Sequence, residues 1–276
     1  MTTPPDPVLD LRPASAPALP VLFLHGSLSS RRMWAAYQAA LAPRVSRAID
    51  LPGYGEAPAL TEVGPCRLTE VVRIIRPALS ALTTAHVVAH SFGGAVALRL
   101  AIESPSLVRT LTLIEPTCLF LLRHMGPQVS DALAGIERIG QAFLRPDGGE
   151  QQRCAMARFV DYWNGHGAWA ALPPERQQAL ALKSDQVRRD FEMLSGERLP
   201  LAALRRLAPP TLIVTGTTSP AAALCMADGL RRAAPRASLI AVPGAGHMLP
   251  MTHAPELIRI LRVRLELDDR SDLMAA

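Results

Sequence analysis

Around Ser91 the chain reads Ala89-His90-Ser91-Phe92-Gly93-Gly94, between an apolar run ending at Ala89 and an apolar helical pattern from Phe92 to Glu103. A serine at the apex of a strand–turn–helix elbow stands clear of both elements. The turn is so tight that the residues two before and two after the serine must be small. Gly93 meets this rule, and Ala89 stands where a glycine is usual, the least demanding substitute. The chemistry open to such a serine is nucleophilic attack, once an imidazole accepts its proton; the hydroxyl alone is a poor nucleophile. Three histidines come into question. His247 follows Pro243-Gly244-Ala245-Gly246 after a late apolar run, His90 adjoins the serine but would point away from its Oγ, and His253 lies just before a helix, where capping or solvent suffices.

These residues need elements to hold them. Val21 to Leu24, His86 to Ala89, Leu111 to Ile114 and Thr211 to Val214 are continuous apolar runs that stop at polar or glycine-bearing turns. Runs of this kind read as strands buried on both faces, hence a parallel sheet. Leu239 to Val242 and the weaker Val45 to Ile49 extend the set. Between them, Met33 to Leu41, Leu68 to Leu82, Phe92 to Glu103, Ala221 to Ala234 and Pro255 to Leu265 carry apolar residues at helical spacing. The alternation predicts an α/β fold with a mostly parallel, twisted sheet flanked by helices. It breaks at residues 116–200, a stretch too long for a loop. Helices are predicted there over Val129 to Leu144, Gln151 to Trp163 and Glu175 to Leu194. This divides the chain into a core, residues 1–115 and 201–276, and a helical lid over the carboxyl edge of the sheet, where ligands bind in open α/β folds.

The chain resembles α/β-hydrolase fold enzymes of the single-lid esterase, C–C hydrolase and haloalkane dehalogenase group. The resemblance rests on four motifs in order at strand ends. They are His25-Gly26-Ser27, Asp50-Leu51-Pro52-Gly53-Tyr54-Gly55, the Ser91 elbow and Gly244-Ala245-Gly246-His247, and the match runs from Leu19 to Leu265. It implies Ser91 as nucleophile and His247 as general base. It also implies an acid three residues after a glycine that follows the Thr211–Val214 strand, but after Gly216 that position holds Ser219, which cannot stabilise an imidazolium as a carboxylate does. Glu115 ends the neighbouring strand, a position some haloalkane dehalogenases use for a catalytic glutamate, and is the first candidate; Asp228 and Asp50 are the alternatives. By the same resemblance, the backbone N–H groups of Ser27 and Phe92 form the oxyanion hole, with Leu28 in place of Ser27 if the loop register differs, and His25 braces that loop. Phe120, Tyr162 and Trp163 of the lid, with Met248, are candidates for an apolar substrate pocket. The family's N-terminal hairpin is expected to be reduced to one short strand near Val8 to Leu11, or absent.

The implied activity is cleavage of a carboxylic ester, lactone or thioester of a small, mainly apolar substrate through an acyl-enzyme. The alternatives are C–C bond hydrolysis on the same site, or a degenerate hydrolase that binds a ligand, to which Ser219 points. Dehalogenase and epoxide hydrolase chemistry would need an aspartate where Ser91 stands. Composition narrows the rest. The net charge of +5 comes from scattered arginines with no basic stripe, so no nucleic-acid partner is expected. The 4 cysteines are far apart, without metal-type pairing, and suit free thiols in a reducing compartment. No signal peptide or spanning segment is read, so a cytoplasmic protein is expected, as monomer or homodimer, needing neither metal nor cofactor.

Overall fold

A computed structural model describes residues 18–60, 66–80, 82–144 and 148–275. In chain order the elements begin with β1 (Val21–Leu24), a single helical turn (Arg31–Trp34), α1 (Ala35–Leu41), β2 (Ser46–Ile49), α2 (Leu68–Ser80), β3 (Ala85–His90), α3 (Phe92–Glu103) and β4 (Val108–Ile114). A helical insert follows, with α4 (Leu119–Leu122), α5 (Ser130–Gln141), α6 (Gly149–Asn164), α7 (Pro174–Ala181) and α8 (Ser184–Gly196). The chain then returns through α9 (Leu201–Arg205), β5 (Thr211–Gly216), α10 (Ala221–Ala233), β6 (Ala237–Val242), α11 (Leu249–Thr252) and α12 (Ala254–Ala275).

The strands form one sheet in the order β2-β1-β3-β4-β5-β6, and every pairing is parallel. The expected strand near Val8 to Leu11 lies outside the described residues. Because successive side chains alternate across a strand, each apolar run feeds two cores. Leu22, Leu24, Val87, Ala89, Leu111 and Leu113 face α2, α3, α10 and the insert. Val21, Phe23, Val88, Ile114 and Val214 face α1 and α12. This is why these strands are apolar throughout rather than alternating. Among the described residues no helix is long and apolar enough to cross a membrane.

The parallel register aligns the strand ends that carry the site. His90 pairs with Ile114 and Ile114 with Val214, so Ser91, Glu115 and Thr215 emerge side by side at the carboxyl edge. The Ser91 N–H donates to the Ile114 carbonyl at 3.0 Å and the Glu115 N–H to the Val214 carbonyl at 2.9 Å. His247 arrives at the same edge from the loop after β6.

Candidate active site

Ser91 occupies the elbow between β3 and α3 with φ 53° and ψ −120°, a left-handed backbone that a non-glycine residue rarely adopts. The elbow presses on the loop after β1. A Cβ on Gly93 would lie 2.3 Å from the His25 carbonyl oxygen, so that position admits no side chain. One at Gly26 would lie 2.9 Å from the Ser91 Cβ, which shows how closely the His25-Gly26-Ser27 loop approaches the nucleophile candidate. The Phe92 N–H sits in the first turn of α3, where no intrahelical acceptor is available to it.

The Ser91 Oγ lies 3.0 Å from His247 Nε2, and His247 Nδ1 lies 3.1 Å from Glu115 Oε2. All three are buried, at 8%, 4% and 1% exposure. The second carboxylate oxygen of Glu115 accepts three further bonds, from the Thr215 hydroxyl at 2.5 Å, the Gly216 N–H at 2.7 Å and the Ser219 hydroxyl at 2.7 Å. Burial alone would raise the Glu115 pKa, but the bonds from His247, Thr215 and Gly216 outweigh it and hold the carboxyl below its ordinary value. Ser219, where an aspartate was expected, is thus a donor to the carboxylate that stands on the adjacent strand. The two other acids are engaged elsewhere. Asp228 pairs with Arg231 and Arg232, and Asp50 accepts the N–H groups of Arg31 and Glu56.

The neighbouring histidines brace the site. His90 Nε2 donates to the His247 carbonyl at 2.9 Å, and burial followed by the proximity of His247 lowers the His90 pKa to about 3, so it stays neutral. His25 Nδ1 donates to the Gly26 carbonyl at 2.7 Å while its Nε2 accepts the Leu51 N–H at 2.9 Å. His253 bonds the Thr252 hydroxyl at 2.9 Å and lies near Glu256, away from the relay.

The insert closes over this edge. The Trp163 ring on α6 stacks on the His247 imidazole, with centroids 3.9 Å apart and planes 30° apart. Tyr162 meets Trp163 edge-on at 5.0 Å. Phe120 is buried and lines a cavity with Thr117 and Leu119, and Met248 is half-buried beside His247. Thr117, which the sequence reading missed, places its hydroxyl 3.2 Å from Ser91 Oγ and donates its N–H to the Ser91 carbonyl at 3.1 Å. Its one sequence signal was a position two residues past Glu115 on the same strand end. Thr215 was missed because a threonine ending a strand is unremarkable. Asp190, fully buried on α8, was missed because it sits in the charged run Asp185 to Glu192, which reads as a solvated face.

The family model described as the alpha/beta hydrolase family matches residues 21–260, all six strands included. This chain belongs to the alpha/beta hydrolase family. The hydrolase is 25% identical over 249 residues to a pimeloyl-[acyl-carrier protein] methyl ester esterase of Nitrosomonas europaea, covering 86% of this chain and 91% of that protein. It is 29% identical over 248 residues to the dihydrolipoyllysine-residue acetyltransferase component of an acetoin cleaving system from Pseudomonas putida. There the match covers 86% of this chain but 61% of the longer relative. Its fold superposes on a thermophilic esterase from Thermogutta terrifontis with a TM-score of 0.68 at 20% identity, covering 92% of each chain.

Proposed function

We propose that this hydrolase cleaves carboxylic esters, lactones or thioesters of small, mainly apolar substrates through an acyl-enzyme on Ser91. The observation that carries the reading is the unbroken relay from Ser91 Oγ through His247 to Glu115, at 3.0 and 3.1 Å. His247 Nε2 takes the hydroxyl proton as Ser91 Oγ attacks the carbonyl carbon, and Glu115 stabilises the imidazolium that forms. The N–H groups of Phe92 and Ser27 receive the oxyanion. As the tetrahedral species collapses, the alcohol leaves with the proton from His247. Water then repeats the sequence and releases the acid.

Ester cleavage is also in keeping with the names of two similar proteins, an esterase of pimeloyl-carrier esters and a thermophilic esterase. The ligand-binding alternative drew on Ser219, and that residue's bond to Glu115 removes the motive for it. The test is turnover of short p-nitrophenyl esters together with organophosphonate labelling. Wild type is expected to react at Ser91, and Ser91→Ala to lose at least ~10³-fold in kcat/KM. Turnover unchanged by that substitution would overturn the reading.

A further inference from the structure

Asp190 is 1% exposed, and among the described residues its carboxyl is met by three side-chain donors. The Ser27 and Tyr54 hydroxyls both donate to its Oδ2 at 2.5 Å, and the Gln186 amide donates to its Oδ1 at 3.2 Å. Gln186 cannot turn its oxygen inward without cost, because its nitrogen also serves the Pro52 carbonyl at 3.3 Å. Among the described residues no cation pairs with this carboxyl. The contact is tight on the core side as well: Gly53 has φ +83°, and a Cβ there would lie 2.0 Å from Gln186 Oε1. One turn of α8 therefore reaches out of the insert and grips the loops after β1 and β2 together.

What it grips is strained. Leu28, next to Ser27, has φ 56°, and such a backbone persists only where its surroundings over-determine it. The Leu28 amide acts on the Tyr54 hydroxyl, and that hydroxyl is itself held by Asp190. We infer that Asp190 is a positioning residue through which the insert, holding Tyr54 and with it the Leu28 backbone, sets the Ser27 amide against the reacting carbonyl. The inference rests on the proposed acyl-enzyme reading for its effect on turnover, but the latch itself is a geometric claim.

The latch has a direction. The three donors suit a carboxylate; burial opposes the charge and lifts the Asp190 pKa to about 7. The titratable groups on the facing loops are Tyr54, held neutral by burial and then by Asp190, behind it His25, kept from protonation by burial, and Asp50 and Glu56, both paired with Arg31. Among the described residues no charged side chain of α3, α4, α5 or α6, all packed on α8, bonds to the carboxyl, and the arginines beside it on α8 are engaged elsewhere, Arg188 with Asp185 and Glu192 and Arg189 with the Leu60 carbonyl. Protonation brings a fourth donor into a cradle of donors and loosens the grip, so the amides are best held above neutrality.

The test compares full-length wild type, Asp190→Asn and Ser27→Ala from pH 5.5 to 8.5. Asparagine keeps the size and one acceptor oxygen but, like the protonated acid, offers hydrogens to the cradle. The first readout needs no turnover. Backbone amide resonances of Ser27 and Leu28 should titrate near neutrality in wild type and stay fixed in Asp190→Asn. The second is kinetic, on p-nitrophenyl butyrate. The wild-type to Asp190→Asn ratio of kcat should grow with pH to about tenfold, with KM within threefold, since their shared dependence on the imidazole cancels in the ratio. Ser27→Ala should lose kcat in the same manner. Amide shifts that are static, or identical in both proteins, overturn the inference, as does a kcat ratio independent of pH. If wild type neither turns over ester nor takes the phosphonate, the acyl-enzyme reading fails, and the amide titration alone decides for or against the latch.

Discussion

At the scale of single residues, the site turns on which strand carries the acid. Glu115 has φ 50° and leaves β4 in a conformation that turns its side chain toward His247, while Ser219 donates to it from beyond β5. Glu115→Gln should lower kcat by about 10²–10⁴-fold with little change in KM, because an amide cannot stabilise the imidazolium. Steady-state kinetics on a short ester checks this. Ser219→Ala should cost about 1–2 kcal/mol of stability at pH 7. Its sign with pH follows from Glu115, whose folded pKa is depressed. The stability linked to its charge is present above the ordinary glutamate value and is lost as pH falls through the folded value. The difference between wild type and Ser219→Ala in urea denaturation should therefore shrink from pH 7 to pH 3.

At the scale of elements, the α/β alternation was legible because buried parallel strands leave no polar face to disguise them. α3 runs over Phe92–Glu103 as its apolar spacing predicts, bounded by the elbow at one end and Ser104-Pro105 at the other. The insert was harder. The single helix expected over Glu175 to Leu194 is two, α7 and α8, parted near Lys183 without glycine or proline. Ser184 bonds back to the Ala181 carbonyl at 2.7 Å and across to the Gln152 carbonyl at 3.3 Å, a tertiary contact that local pattern does not encode. That break gives α8 its own axis, and with it the face bearing Gln186 and Asp190. The short α4 and α9 were missed because four or five residues carry too little period to detect. The last helix runs on past Leu265 to Ala275. A prediction belongs to the junction of β3 and α3. Gly93→Ala drives a methyl group to within 2.3 Å of the His25 carbonyl oxygen, which backbone cannot easily concede. It should remove about 3 kcal/mol or more and lower Tm by roughly 6–12 °C in a thermal melt.

At the scale of the whole molecule, the core and the helical insert meet over the relay. Ser91 is 8% exposed and the Trp163 ring stacks on His247, so the insert covers the relay. Trp163→Ala removes the cover and much buried surface at once. It should cost about 3–5 kcal/mol of stability while speeding phosphonate capture of Ser91. Melting and labelling time courses, run side by side, separate the two effects. The insert's outline could be read from where the strand pattern stops. Its grip on the core could not, because Trp163, Gln186 and Asp190 acquire their meaning only from partners far away in the chain.

The strand order also bears on how the molecule comes into being. After β1 and β2 meet, β3 joins the other side of β1, and β4, β5 and β6 add one after another along that same growing edge. Ser91 and Glu115 are therefore synthesised early, whereas His247 lies 156 residues after the serine, beyond the last strand. At ribosomal speeds the interval is roughly 8–30 s. On the proposed mechanism, a chain ending before β6 lacks its base and should not take the phosphonate, so reactivity is expected only once the last strand and the loop behind it are made.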